Sequence, residues 1–373
     1  MKKYDVVVIG SGVGGSSAAY ALKEGGKSVA LVEEDLWGGT CPNRGCDPKK
    51  VFVAGMEAVE RNNQLAGKGL SPIRSINWPE LLAFKRTFTD PFPEAFKKEA
   101  QGNGIDTIAG SACFVDERKI DVGGTVIEAD AFIIATGQRP GILDIEGKEY
   151  LKTSTDFLGM EELPPRMAFL GAGYIAFELA AIANAAGSEV TVIHHNNRPL
   201  KGFDANMVSE MVTAFQGKGV RFVFDTEIGR VQEENGQFIL SGDDYSAEAD
   251  YVVCAAGRVP NIEKLELEKA GVAYGKRGIS VNKYLQTSNT YVFACGDVID
   301  KKQPKLTPVA KFEGQYIAKK ILDEQAAGIV YPPVATVVYG SPKLAQVGID
   351  VSEAQRQPEK YVIRELDMTG WFT

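Results

Sequence analysis

The sequence predicts an α/β fold of two Rossmann-like units, one inserted into the continuation of the other, with an incomplete α+β segment at the end. Three observations predict it. An apolar strand runs into a glycine-rich turn and then an alanine-rich helix at residues 4–23, the same series recurs from Met167, and each copy closes on a hydrophobic strand that ends in glycine, at Gly137 and Gly257. Strand, tight turn and helix in that order open a parallel βαβ unit, and a diverged second copy implies a duplicated domain.

At 373 residues the chain can hold about two or three domains with substantial cores. With 44% hydrophobic and 24% charged residues, its composition is that of an ordinary globular protein. A net charge of -8 leaves no global basic field, which disfavours nucleic acid or an anionic membrane surface as a partner. Met1-Lys2-Lys3 resembles the basic start of a leader, but the apolar run Tyr4–Ile9 is short and meets a glycine turn in place of a cleavage site. No apolar run approaches the ~18 residues of a membrane span, so the reading places the protein in the cytoplasm. Five cysteines, an odd number without framework spacing, fit a reducing compartment where any disulfide is catalytic.

Tyr4–Ile9 suits a buried parallel strand, and Gly10-Ser11-Gly12-Val13-Gly14-Gly15 follows it directly before the helical pattern Ser16–Lys23. Gly10 makes the tight turn, Gly12 lets the backbone approach a pyrophosphate, and Gly15 lets helix and strand pack closely, with Gly14 between them. A second strand, Ser28–Val32, leads to Glu33, about 20 residues beyond the glycines, where a carboxylate accepts from ribose hydroxyls. The competing reading is a glycine-rich turn in a flavodoxin-like sheet; strand, helix and terminal acid together favour a dinucleotide site.

The stretch Gly38 to Lys50 reads as a loop rich in Gly and Pro, with Cys41 and Cys46 separated by Pro42-Asn43-Arg44-Gly45. Zinc takes paired Cys-x₂-Cys or a Cys/His quartet, and the only histidines, His194 and His195, lie far along the sequence. No metal site is expected. A redox-active disulfide is the better reading, against two ordinary buried thiols. Helical patterns follow at Val51–Asn63 and Trp78–Gln101, the latter interrupted at Pro91 and Pro93. Strand-like pieces at Asp106–Ala109, Ala112–Val115 and Thr125–Ile127 lead to the run from Ala131 to Thr136-Gly137, a turn able to pass close to a bound cofactor.

The second copy has the strand Met167–Leu170, the turn Gly171-Ala172-Gly173-Tyr174-Ile175-Ala176, with alanine for the third glycine, and the helix Phe177–Ala186. Its next strand, Glu189–Ile193, ends in no acid but in His194-His195-Asn196-Asn197-Arg198-Pro199-Leu200-Lys201. Donors without a carboxylate favour a 2′-phosphate, so NADPH is the expected reductant. The plainer reading is a solvated basic turn, since histidines are largely neutral at pH 7. This unit closes at Tyr251 to Gly257-Arg258, and two dinucleotide sites point to two cofactors. The chain then returns to the first unit through Gly278–Val281 and Thr290–Ala294 to Gly296-Asp297. That aspartate is read either as a helix N-cap or, preferably, as a carboxylate accepting from a sugar-like chain. A helix runs from Leu306-Thr307 to about Asp323, and beyond Tyr331 come strands at Ala335–Val338 and Leu344–Val347 and a short helix, Val351–Arg356.

The cysteine stretch, the Ala135-Thr136-Gly137 and Ala256-Gly257-Arg258 closures, Gly173-Tyr174-Ile175-Ala176 with Glu178, and Cys295-Gly296-Asp297 together resemble the flavoprotein disulfide reductases of the glutathione reductase and dihydrolipoamide dehydrogenase family, in the expected order over essentially the whole chain. Pro48-Lys49-Lys50 is similar to the glutathione reductase branch; dihydrolipoamide dehydrogenases usually show Ser-Lys there. The resemblance implies FAD bound by 1–148 and 263–328, NADPH bound by 149–262, and the start of a dimerisation domain at 329–373. It places cofactor contacts also at Gly39, Thr40, Ala112, Thr136, Gly137, Asp297, Thr307, Gly257 and Arg258. NADPH reduces FAD, which passes two electrons to Cys41–Cys46, with Cys46 against the flavin and Cys41 attacking substrate. Lys49 or Lys50, with Lys49 preferred, pairs with Glu178 near the flavin, and Tyr174 covers the nicotinamide pocket.

Two departures are visible. The first helix carries only Lys23 where glutathione reductases hold the tripeptide's carboxylates with several basic residues. The family's His-Glu pair comes from the end of the partner's dimerisation domain, which this sequence does not reach; a truncated or incompletely recorded C-terminus is expected, or else a degenerate protein. The expected function is NADPH-dependent reduction of a low-molecular-weight, glutathione-like disulfide by a protein that is a homodimer in its complete form. A mercuric ion or dihydrolipoamide type of the same family, and a non-catalytic FAD/NADPH-binding protein, are the alternatives.

Overall fold

In the computed structural model, which describes residues 2–73 and 75–371, the first unit is built on β1 (Lys2–Ile9). Val6 to Ile9 are all buried, because a parallel strand with helices on both faces has no solvent side. The order of the unit is α1 (Val13–Glu24), β2 (Val29–Glu33), α2 (Thr40–Arg44), α3 (Cys46–Gln64), α4 (Trp78–Thr89), α5 (Phe92–Gly102), β3 (Asp106–Ala109), β4 (Ala112–Asp116), β5 (Lys119–Val122) and β6 (Thr125–Ile134). Its sheet runs β3-β2-β1-β6-β5-β4. β1, β2, β3 and β6 are parallel, and β4 and β5 return antiparallel on the start of β6.

The linker β7 (Gln138–Pro140) and the short helix α6 (Ser154–Gly159) lead into the second unit. This comprises β8 (Arg166–Leu170), α7 (Tyr174–Ala186), β9 (Glu189–Ile193), α8 (Ala205–Gln216), β10 (Arg221–Val223), the meander β11 (Arg230–Glu234), β12 (Gln237–Ser241), β13 (Ser246–Ala249), and β14 (Tyr251–Cys254). Its sheet, β10-β9-β8-β14, is wholly parallel. The exit linker β15 (Arg258–Pro260) pairs antiparallel with β7, so the two crossings between units form one ribbon.

The duplication extends to the hydrogen bonds. The Gly10 N–H donates to the Val32 carbonyl and that of Ala135 to Ile9, each at 2.8 Å; in the second unit Gly171 donates to Ile193 and Ala255 to Leu170, again at 2.8 Å. Insertion of one unit into the other follows from the return path: after β16 (Tyr274–Gly275) and β17 (Gly278–Ile279), β18 (Val292–Ala294) rejoins the first sheet in parallel beside the end of β6. Then α9 (Thr307–Leu322) packs on α1, where a Cβ at Gly314 would stand 2.1 Å from the Gly14 carbonyl. The chain closes with β19 (Thr336–Val338), β20 (Leu344–Gln346) and α10 (Val351–Gln355). Met1, Arg74, Phe372 and Thr373 lie outside the described residues, and among those described no helix is long and apolar enough to cross a membrane.

The cysteine stretch is not the loop its glycines and proline implied. It is helical on both sides of Gly45, with Cys41 in α2 and Cys46 opening α3. Asn43, buried, ties the first of these helices down by donating to the carbonyls of Trp37 and Gly39. The break falls at Gly45 because a Cβ there would meet the Thr40 carbonyl at 3.0 Å. The helix α3 also starts well before Val51, and α4 and α5 are separate, joined at Asp90-Pro91.

One packing relation positions the site. Phe52, Val53 and Met56 of α3 are buried in the same core as Ala176, Phe177 and Ala180 of α7, and Phe52 stacks on Trp78 with ring centroids 4.8 Å apart. Burying one such aromatic contributes roughly 1.5–3 kcal/mol. The alanines of α7 let a helix of the first unit approach closely, which carries Lys49 to Glu178.

Candidate functional site

Cys41 and Cys46 are both free thiols, half-buried at the junction of α2 and α3. Cys46 Sγ lies 3.6 Å from Thr307 Oγ1, at the first turn of α9. The two thiols are unequal. The Cys46 thiol is pulled down to about 6, first by the hydrogen bond from Cys41 and, against the effect of burial, by the Thr307 hydroxyl and the Lys49 and Lys50 ammonium groups. Cys41, the donor of that bond, is pushed up and keeps its proton. Of the pair, Cys46 is therefore the sulfur that gives up its proton more readily and Cys41 the one that holds it.

Lys49 Nζ lies 2.9 Å from Glu178 Oε1, with side chains 12% and 7% exposed. So little water reaches this pair that the charges depend on each other. Of the two lysines the sequence offered, Lys49 makes the ion pair, while Lys50 is exposed and extends toward the ring of Tyr339.

Both cysteines, Lys49, Lys50 and Glu178 line one cleft of about 1860 Å³, larger than the ~300–1,000 Å³ of a pocket for one small molecule. Gly10, Gly12, Gly14, Glu33, Gly39 and Thr40 line it from the first unit, with Ala112, Thr136, Gly137, Asp297 and Thr307; Gly173, Tyr174, Ile175, Gly257 and Arg258 line it from the second. Glu33 is held at its rim, Oε2 accepting from the Ser11 N–H and hydroxyl and Oε1 from the N–H groups of Glu34 and Asp35. Tyr174 is 45% exposed and stands open to the cleft.

The residues fit FAD and a nucleotide on four counts. At the first turns, Gly10 (φ +104°) and Gly171 (φ +107°) take backbone angles that favour glycine, and a Cβ would lie 2.5 Å from the Ala135 carbonyl or 2.6 Å from that of Ala255. The helices behind them, α1 and α7, begin at Gly12 and Gly173 with no side-chain cap, which leaves their N–H groups free for phosphates. Gly39 keeps the opposing wall bare, as its Cβ would stand 2.6 Å from Gly12 Cα. Thr136 Oγ1, finally, is buried without a hydrogen-bond partner among the described residues.

Other named positions lie off the cleft. Gly15 and Ala172 pack behind it, and Gly171 forms the turn beneath. His194, His195, Arg198 and Lys201, read as phosphate donors, do not line it; its wall there is Gly202 and Phe203. Burial and then His195 hold the His194 ring below its ordinary value, so it stays neutral, and the Arg198 guanidinium donates to the Phe203 carbonyl at 3.0 Å. His195 and Lys201 are exposed and Arg198 is partly so. Among the described residues no three His, Cys, Asp or Glu side chains converge on a point that could hold a metal ion.

Sequence reading missed the supports beneath these residues. Glu313, fully buried, accepts from Lys301 at 2.8 Å, from the Tyr331 hydroxyl at 2.8 Å and from the Gly296 N–H at 2.7 Å, which anchors the turn carrying Asp297. Ser11 accepts from the Gly38 N–H at 2.8 Å while donating to Glu33, and so ties the first fingerprint to the cysteine stretch. Its place inside the fingerprint was the one available signal. Nothing in the sequence marked Glu313.

This arrangement of two dinucleotide folds around a cysteine pair defines a class of redox protein. The sequence pattern of the family described as pyridine nucleotide-disulphide oxidoreductase matches residues 4–314, and the chain belongs to that family, whose members bind FAD and a pyridine nucleotide. The chain is 33% identical over 367 residues to a glutathione reductase of Nostoc sp., an alignment covering 94% of this chain and 80% of that protein. It is 34% identical over 366 residues to a mercuric reductase of Staphylococcus aureus, covering 95% of this chain and 66% of the other. A dihydrolipoyl dehydrogenase of Chlamydia trachomatis is 31% identical over 363 residues, covering 95% and 77%.

Proposed function

We propose that the chain is an NADPH-dependent FAD flavoprotein that reduces a low-molecular-weight disulfide of the glutathione disulfide type through Cys41 and Cys46. The observation that carries this reading is the geometry at the cleft, where both cysteines line its wall, Cys46 Sγ lies 3.6 Å from Thr307 Oγ1, and Lys49, one turn further along α3, is held by Glu178 at 2.9 Å. Residues 1–148 and 263–328 would hold FAD and 149–262 NADPH, with 329–373 belonging to the interface of a cytoplasmic homodimer.

Bound FAD supplies the relay for two electrons between nicotinamide and disulfide. The protein's own part is sulfur and proton chemistry. Once its proton leaves, the Cys41 sulfur attacks the substrate disulfide, the S–S bond breaks and one thiol departs. The Cys46 thiolate then attacks the Cys41 sulfur of the mixed disulfide, the second sulfur departs as a thiolate that takes a proton from solvent, and the pair is left oxidised. Two electrons and one proton would return the pair to Cys46 thiolate and Cys41 thiol, and a nicotinamide nucleotide held by the second unit would supply them as hydride. Lys49, oriented by Glu178, keeps a positive charge beside Cys46 and favours its thiolate throughout.

The identity to a mercuric reductase and to a dihydrolipoyl dehydrogenase is close to that with the glutathione reductase, so mercuric ion and dihydrolipoamide are the competing substrates. FAD-loaded protein assayed with NADPH and each of glutathione disulfide, lipoamide and mercuric ion decides among them. Preferential turnover of the disulfide supports the proposal; preference for either other substrate replaces it, and inert cysteines with tightly held FAD indicate a binding protein.

A further inference from the structure

Lys49 and Glu178 come from the two different nucleotide units, and a third element closes over them. The Tyr339 N–H donates to Glu178 Oε1 at 2.9 Å, the same oxygen that receives Lys49 Nζ at 2.9 Å. The Tyr339 ring lies against that ammonium, with Nζ 4.2 Å from its centroid. Tyr339 is itself immobilised. Val338 before it is fully buried in the core shared with α7 and α8, and Lys343 beyond it pairs with Glu57 of α3 at 2.7 Å.

A lysine paired with one carboxylate keeps several rotamers, because its ammonium is a compact charge on a flexible stem. An aromatic face removes that freedom, since the cation is drawn to the ring's negative quadrupole. We propose that Tyr339 is a positioning residue for the reaction, its N–H orienting the Glu178 carboxylate and its ring fixing the Lys49 ammonium on the Cys46 side of the cleft. The consequence for catalysis rests on the proposed function; the consequence for Cys46 does not. Tyr331 supports the placement from the other end of the same segment through its hydrogen bond to Glu313.

The test compares Tyr339→Leu, which keeps the N–H and removes the ring, with Tyr339→Phe, which keeps both. The first readout is the alkylation rate of Cys46 by iodoacetamide at pH 5.5 in the dithiol protein, located by mass spectrometry, where the rate follows the thiolate fraction. The second is the single-turnover rate of flavin reduction by NADPH in the FAD-loaded protein. Tyr339→Leu should slow alkylation about twofold and flavin reduction about three- to tenfold, the range set by a partly desolvated cation–π contact, while Tyr339→Phe stays near the parent in both. A Leu variant equal to the parent overturns the proposal, as does a Phe variant as slow as Leu, which would implicate the hydroxyl instead of the ring face. Should Tyr339→Leu not fold, Tyr339→Met, an adaptable side chain without a ring, takes its place. If the parent itself shows no flavin reduction by NADPH, the functional reading fails, and Cys46 alkylation still decides the role of Tyr339.

Discussion

Cys46 and Thr307 stand 261 residues apart in sequence, and the thiol of one lies 3.6 Å from the hydroxyl of the other. The contact joins the opening of α3 to the opening of α9, so the Thr307 hydroxyl adds to the hydrogen bond from Cys41 in holding the sulfur down to about 6. Alkylation of Cys46 should therefore rise with pH through about 6, where an ordinary cysteine rises through about 8.5. Thr307→Val, which removes the hydrogen bond and keeps the shape, should move that midpoint upward and lower the reactive fraction at neutral pH. A variant with the parent's profile would show that Thr307 plays no such part.

Glu313 and Lys301 form the most enclosed ion pair described here, 0% and 4% exposed. Glu313→Gln leaves the ammonium without a counter-charge, and breaking a buried pair from one side costs about 3–5 kcal/mol. Chemical denaturation of the two proteins should show a loss of that order, together with weaker FAD retention because the Gly296–Asp297 turn loses its anchor. A change under about 1 kcal/mol would place water beside Lys301 and contradict its burial.

The elements that sequence made legible are those whose cause is local. Glycines at Gly10 and Gly171, apolar strands before them and alanine-rich helices after them state the βαβ units outright, and the pairing of Gly10 with Val32 recurs as Gly171 with Ile193. The cysteine pair was visible by its spacing, yet its helical setting was not, because Asn43 and the close approach at Gly45 decide it through tertiary contacts. Tyr339 and Glu313 were invisible for the same reason. Each acts on a residue far away in sequence, and neither lies in a turn or pattern that composition reveals.

The donor-rich turn after Ile193 bears on nucleotide choice. With no carboxylate there to accept from a free 2′-hydroxyl, NADPH should outcompete NADH by at least about tenfold, roughly 1.4 kcal/mol. Arg198→Ala combined with Lys201→Ala should narrow that ratio. Equal use of both nucleotides by the parent would show that the turn sets no such preference.

In the proposed reaction each departing thiol needs a proton. The sequence has two histidines, and neither His194 nor His195 lines the cleft with Cys41. Positioned acid–base groups contribute about 10²- to 10⁴-fold, so where neither histidine reaches the cleft, reduction of the cysteine pair should outpace turnover of external disulfide. Stopped-flow reduction compared with steady-state turnover measures the two halves; fast turnover would show that another group beside Cys41 carries the proton.

In the proposed reaction, electrons from a nicotinamide nucleotide end on Cys41 and Cys46. Anaerobic titration of the oxidised, FAD-loaded protein with NADPH, followed by absorbance and by alkylation mapping, tests it most directly. A long-wavelength thiolate-to-flavin charge-transfer band is expected, with both cysteines becoming alkylatable in step with it and no such band in Cys46→Ser. Bleaching of the flavin with no band and no newly reactive cysteine would contradict it.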